Sequence, residues 1–594
     1  MVLFVGQRKA VSVAISNNRT SQRFSGFVSP LGKFATSTPS PAEFDLLAGG
    51  MIIRDGGVTS RLFEDTERTS MRLTLLLPAV LLSSVVLAAD QPQWGEAWTR
   101  NLVSPEKGLP DSWDIETGRN VEWVAPLGTQ SYATPIVAGG RVYIGTNNET
   151  PRDPAHVGDR GVLLCLDEKD GHLLWQLLVP KRDEDKYYDW PKTGMSSPVT
   201  VEGDRAYLVD NRGEVVCLDV QGMAGGKKGP YQDDAAHLTP YAIPSDFTGG
   251  ATGPATPATP PPAEALTPTD ADIIWLLDLP SQAGIWPHDG AHSSILINGD
   301  FLYLNTGTGV DNTHRAIRRD DAPSLIVLDK KNGRLVAQDG EHISPNIFHA
   351  SWSSPSMAKV NGRPLIFFAG GDGIVRAFEP ITKLPADGKV AKLKMVWQFD
   401  TDPAAPKTDI HRYVSNRKEG PSDIYGMPVF ADKHLYVAGG GDIFWGKNEV
   451  WLRCIDPTKT GDITSSGEIW SYPLDKHTMS TPAVANGLVF IADAGRKVHC
   501  VDAETGKPYW THETKGDFWA SPLVADGKVY IGSKKGDFWV FTASKEKQVL
   551  ATMDFKKGIS GTATAANGVL YVATMTDLYA LKKGAQRDGN ASQK

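Results

Sequence analysis

The chain lacks most of the features that settle a function at sight. Four cysteines occur in 594 residues, none beside another and none in a Cys-x-x-Cys-His run, which excludes a covalently attached c-type haem. Basic residues are not in excess: 61 Lys and Arg face 69 Asp and Glu, for a formal net charge of −8. With no basic stripe, a nucleic-acid partner is not expected. Long apolar runs are also missing, because the most apolar stretch, Leu73 to Leu87, falls short of the about twenty residues a bilayer span needs. The Gly-rich stretches at 370–373 and 439–441 have no helix pattern after them and read as turns or bulges, not phosphate loops.

The start of the chain reads as something other than folded structure. Residues 1–70 are rich in Ser, Thr, Pro and Gly without periodicity, and read as disordered or as a mis-assigned start. From Met71 the pattern changes to one arginine, Arg72, an apolar stretch, and small residues ending at Ala88 and Ala89. That is the pattern of a secretory signal peptide over 71–89, cleaved near Ala88/Ala89, and it predicts a periplasmic or secreted protein. No transmembrane span is expected in the mature chain, and a monomer is expected.

What the chain has in abundance is repetition. Ser480-Thr481-Pro482-Ala-Val-Ala-Asn486-Gly487-Leu-Val-Phe490-Ile491 is followed by Val498-His-Cys500-Val-Asp502, Gly506 and Trp510. The pattern then recurs as Ala520-Ser521-Pro522-Leu-Val-Ala-Asp526-Gly527-Lys-Val-Tyr530-Ile531 and Phe538-Trp539-Val-Phe541. Two β-rich runs joined by Asn-Gly or Asp-Gly form a hairpin, and a third and fourth run complete a four-stranded antiparallel sheet. Repeated at a fixed period, this is a propeller blade.

Further copies begin near Ala133, Ser196, His292, Trp352, Gly426 and Thr562. The last lacks a fourth strand, whereas Thr117-Gly118-Arg-Asn-Val121-Glu-Trp123 has a closing strand without a blade before it. The fold is therefore expected to be all-β, an eight-bladed propeller over 118–581 whose ring is closed by the N-terminal strand, leaving no long open edge. Residues 90–117 read as a lead-in, 222–271 as a mobile insertion in blade two, and 582–594 as a disordered tail. Cys165, Cys217, Cys454 and Cys500 all fall on third strands and read first as small buried residues. Disulfides 165/217 and 454/500 between neighbouring blades are the alternative.

The Ser-Ser-Pro-Val, Gly-x-Val-Tyr-Ile-Gly and Leu-x-x-Leu-Asp-x-x-x-Gly-x-x-x-Trp elements resemble those of the pyrroloquinoline quinone (PQQ) propeller superfamily, the quinoprotein alcohol dehydrogenase-like group. That superfamily holds dehydrogenases and also non-enzymatic propellers, among them the lipoprotein of the outer-membrane protein assembly machine. For a dehydrogenase the resemblance implies PQQ with calcium, oxygen ligands from Asn or Glu, an aspartate base, and a disulfide of adjacent cysteines over the quinone. Here Thr308 stands at the expected asparagine ligand, Ile347 and Ala350 at the aspartate positions, and adjacent cysteines are absent. No cofactor is expected on these grounds, and no catalytic residue is assigned.

Blades three to five nevertheless depart from the repeat. Five of thirteen histidines, His288, His292, His314, His342 and His349, fall close together in sequence. Loops before inner strands gather at one mouth of the channel, where propellers bind ligands. The candidate ligand residues are Trp286, His288, Asp289, His292, Asp311, Asn312, His314, Arg315, His349, Trp352, Asp372, Arg417 and Asp423, with Trp445 beside them. No tight metal-ligand spacing occurs, so no metal is assigned. The reading is a non-catalytic propeller that binds a protein, glycan or small molecule; a PQQ- and calcium-dependent alcohol or sugar dehydrogenase with a diverged site is the alternative.

Overall fold

The hairpin dipeptides behave as their chemistry requires. In the computed structural model, which describes residues 89–182, 188, 190–238, 265–290 and 292–587, Asn486-Gly487, Asp526-Gly527 and Asn567-Gly568 all hold positive φ, between 51° and 77°. That is the turn whose twist matches the flanking strands. Eight sheets result, spanning 136–180, 200–278, 296–338, 356–400, 429–474, 483–513, 523–554 and 564–586. The eighth is completed by Arg119–Pro126, with Val121 opposite Leu581 and Trp123 opposite Ala580, so the ring closes between the two ends of the propeller as expected.

The tryptophan and glycine of the repeat explain each other. Each outer-strand indole donates its N–H to a carbonyl of the next blade: Trp123 to Glu168, Trp175 to Val220, Trp275 to Lys330, Trp397 to Pro457, Trp470 to Ala503 and Trp510 to Ser544, at 2.9–3.1 Å. The ring then lies on the turn glycine of that neighbour. A Cβ on Gly171, Gly333 or Gly506 would come within 2.4–2.6 Å of the indole, so only glycine admits the contact. Apolar faces between blades are filled by side chains such as Tyr143, Cys165 and Trp175 against Ala206, Leu208 and Leu218. Each large side chain buried there contributes about 1.5–3 kcal/mol. All four cysteines are free and buried in these seams, and burial pushes each thiol up to about 12.

The Ser-Ser-Pro and Ser-Thr-Pro elements form a girdle around the channel. Backbone N–H groups of one blade donate to hydroxyls of the next: Ser294 to Ser354, Met427 to Thr481, Thr481 to Ser521, Ser521 to Thr562 and Thr562 to Thr134, at 2.9–3.3 Å. Buried backbone donors thus find partners where no strand can reach them.

Segments outside the repeat also carry structure. Within the lead-in 90–117, residues 91–104 bond to the innermost strand of every blade in turn. Gln91 pairs with Val137, Val201 N–H reaches Pro92 O, Trp98 indole reaches Ile297 O, and Met357 N–H reaches Trp98 O. Phe430 N–H then reaches Thr99 O, Asn101 bonds Val484, Val524 N–H reaches Leu102 O, and Ser104 reaches Ala565 O.

At its centre Arg100 is fully buried, and its guanidinium donates to Ser294 O, Ser294 Oγ, Pro355 O and Trp94 O at 2.8–3.2 Å. Burial pulls its pKa down to about 9. The insertion is anchored at its flanks: Lys227 pairs with Asp234 and Asp272, and Lys228 with Asp219, at 2.7–3.0 Å. The closing strand runs from Asp577 to Gln586, so a tail can begin only after it. The expected signal peptide and the first seventy residues lie outside the described residues, Ala89 excepted. Among the described residues no helix is long and apolar enough to cross a membrane.

Candidate functional site at the open mouth of the channel

With one side of the channel filled by the N-terminal segment, the loops before the inner strands enclose a cavity of about 430 Å³. Trp94, from the plug, lies on it together with Tyr132, Trp190, Trp352, Tyr425, Phe444, Trp445 and Trp519. The polar lining comprises Asp289, His292, His314 and His349, together with Gln130, Thr134, Thr193, Ser196, Ser560 and Thr562. An apolar, aromatic cup with a small polar sector is the usual make-up of a small-molecule site.

Asp442 shapes much of the wall. Its carboxylate accepts the Tyr425 hydroxyl and the N–H groups of Phe444 and Trp445, and lies 3.2 Å from His349 Nδ1. Burial works against its charge, but His349, Tyr425 and the backbone donors outweigh this and hold it below the usual carboxylate range. Arg417 donates to the carbonyls of Gly446 at 2.9 Å and Ile443 at 3.2 Å. Together they present Phe444 and Trp445 to the cavity. Asp423, fully buried nearby, is pushed well above the usual range by burial and then by the Asp442 charge.

The histidines converge. His288 Nε2 and His314 Nε2 are 3.2 Å apart, and the ligand atoms of His288, His314 and His349 all lie within 4.8 Å of one another. Burial, then the two neighbouring rings, drives His288 well below its ordinary pKa, and burial likewise takes His314 and His292 to about 4. These rings are neutral at physiological pH. Burial opposes charge at His349 as well, but Asp442 and Asp289 together outweigh it and raise its pKa.

Of the residues singled out by sequence, Asp289, His292, His314, His349 and Trp352, and also Trp445, line the cavity. His288 stands against this wall, while Trp286 is buried against Tyr188 with Arg318 over its ring. Asp311, Asn312 and Arg315 serve a surface turn: Asp311 accepts from Thr313, Asn312 from Arg318, and Arg315 N–H bonds Thr313. Asp372 is in a buried pair with Arg376 at 2.6 Å, and His342 is exposed in a left-handed turn. Arg417 and Asp423 act behind the wall. Sequence reading missed Trp94, Tyr132, Trp190, Tyr425, Phe444, Asp442 and Trp519. Phe444 and Trp445 beside the Gly-rich 439–441 stretch were the one available signal.

The calcium and quinone implied by the resemblance do not match the residues present. The Thr308 hydroxyl is committed to Thr306 and Pro323, at 2.8 and 3.4 Å. Ile347 and Ala350 are wholly buried apolar groups, unable to accept a proton. Calcium takes about six to eight oxygen ligands, whereas the buried cluster on this wall offers three imidazoles with only the Asp289 and Asp442 carboxylates beside them.

A family model described as outer membrane protein assembly factor BamB matches residues 100–223 and 448–550. A quinohemoprotein alcohol dehydrogenase from Comamonas testosteroni is 27% identical over 108 residues, which is 16% of this chain and only 15% of that relative's length. Among solved structures, the quinohemoprotein alcohol dehydrogenase ADHIIG from Pseudomonas putida HK5 has a TM-score of 0.51 at 12% identity, covering 84% of this chain and 81% of that one. BamB from Moraxella catarrhalis has a TM-score of 0.44 at 12% identity, over 78% of this chain and 97% of that one. The likeness to the Pseudomonas structure speaks to fold alone. By its repeats, its eight-bladed ring and the segments that the family model matches, the chain is a PQQ-like β-propeller repeat protein.

Proposed function

We propose that this is an exported, non-catalytic propeller that binds a small, flat organic molecule in the aromatic cup at the open mouth. The observation that carries the reading is the cup itself, which combines a Trp94 contribution from the plug with indole and phenyl walls from several blades. Flat rings seated there gain area burial and about 0.5–1.5 kcal/mol per aromatic pair, and the Asp289–His292 sector orients the ligand's polar edge. Because residues 91–104 bond to all eight inner strands, the cup is a dead end rather than a passage. Export rests on the signal-peptide pattern of residues 71–89.

A second reading, a PQQ- and calcium-dependent dehydrogenase with a diverged site, is favoured by the similarity to the Comamonas enzyme. Thr308, Ile347 and Ala350 weigh against it. Reconstitution of the purified protein with PQQ and Ca²⁺, followed by dye-coupled alcohol oxidation, separates the two. The binding reading predicts no turnover. Chelator-sensitive oxidation would overturn it.

A further inference from the structure

We infer that His288, His314 and His349 form a binding site for a divalent transition-metal ion of the zinc class, open on one side to the mouth cavity. The inference stands on the side-chain geometry and is independent of what organic molecule fills the cup. Three blade-three loops bring together rings that are 26 and 35 residues apart in sequence, and all three are buried. Tetrahedral zinc with bonds of about 2.0–2.1 Å sets its ligand nitrogens about 3.3 Å apart. His288 Nε2 and His314 Nε2 already stand 3.2 Å apart. His349 Nε2, on the same cluster, is buried without a hydrogen-bond partner, an expensive condition for a ring nitrogen.

The surroundings have the form that metal-binding histidines require. A ligating imidazole is oriented by a hydrogen bond at its other nitrogen. His349 Nδ1 has Asp442, itself fixed by Tyr425, and His288 and His314 hydrogen-bond the backbone of Val310 and Asn312. Asp289 Oδ2 lies 3.7 Å from His349 Nε2 and 3.8 Å from His288 Nε2, so two carboxylates stand ready to balance a doubly charged ion. Imidazole nitrogen suits Zn²⁺ and excludes preference for Ca²⁺ or Mg²⁺. Because His314, His349 and Asp289 also line the cavity, a fourth coordination position faces it, as in sites that accept an exchangeable ligand.

The test uses the full, untagged chain after dialysis against chelator. Zn²⁺ titration by calorimetry, with metal content by mass spectrometry, is expected to give one tight equivalent, and Co²⁺ to give the visible absorption of a tetrahedral nitrogen site. His314→Gln is expected to weaken binding by about 100-fold or more, and Asp442→Asn by about 10- to 100-fold while keeping one equivalent. Circular dichroism confirms that each variant folds. The Co²⁺ spectrum of the unaltered protein keeps the test decisive if a variant does not. Absence of a tetrahedral Co²⁺ band, or binding that survives His314→Gln and disappears in His172→Ala, at the exposed Asp167–Asp170–His172 group, would overturn the proposal and leave a histidine–carboxylate network only.

Discussion

The Arg100 guanidinium donates to the Ser294 carbonyl at 2.8 Å and to the Ser294 hydroxyl at 3.1 Å, joining the N-terminal segment to blade three at the centre of the ring. With Pro355 and Trp94 also accepting, this one side chain holds the plug beneath the cup. Arg100→Met leaves those buried acceptors unpaired and is expected to lower the unfolding free energy by about 3–5 kcal/mol, as for other broken buried charge networks. Urea unfolding measures it. Limited proteolysis should then cut within residues 89–104, and a loss under about 1 kcal/mol would show that the plug is held elsewhere.

Lys447 and Asp402 are buried together, with Ser422 donating to the same carboxylate at 2.8 Å. Burial raises the Asp402 pKa, but Lys447 and Ser422 outweigh it, so the folded-state value lies below the ordinary one. A depressed carboxylate stabilises above its unfolded pKa of about 3.9 and loses that contribution as pH falls through the lower folded value. Lys447→Met is expected to cost about 3–5 kcal/mol at neutral pH. The gap from the parent protein should close below pH about 4, and a pH-independent gap would contradict this.

Gly506 sits at φ 69°, and a Cβ there would lie 2.6 Å from the Trp470 ring. Gly506→Ala combines left-handed strain with overpacking and is expected to destabilise by about 2–4 kcal/mol. Trp470→Phe, which removes only the indole N–H bond to Ala503 at 3.0 Å and some packing, should cost less. The reverse order would mean that the glycine is not what admits the indole.

All four cysteines are free and buried, with thiols pushed up to about 12. Ellman's reagent should find none in the native protein and four after denaturation without reductant. Two or none would reveal the inter-blade pairs 165/217 or 454/500.

The ring was legible because its blades repeat one physical solution: a positive-φ hairpin turn in each, a hydroxyl for the neighbour's backbone at five junctions, and an indole for the neighbour's turn in six blades. The orphan strand ending near Trp123 could be placed because the motif made its absence from blade eight visible. The plug was not legible, since residues 91–104 carry no repeat and gain their structure from eight separate strand edges. The cup was half legible. His314 and His349 stand out as departures from the repeat, whereas Tyr132, Trp352 and Trp519 share one ordinary repeat position, three residues before Pro135, Pro355 and Pro522, and face the mouth only because the ring closes. The histidine trio escaped spacing rules for the same reason: its members come from three loops that only tertiary folding brings together.

The account turns on the cup as a binding site for a small, flat molecule. Soaking crystals of the protein with flat heteroaromatic fragments and locating their density tests it most directly. The expected result is fragments seated among Trp94, Trp352, Phe444 and Trp519, displaced in Trp352→Ala crystals. An empty cup in crystals whose fragments bind elsewhere, with Trp352→Ala making no difference, would contradict it.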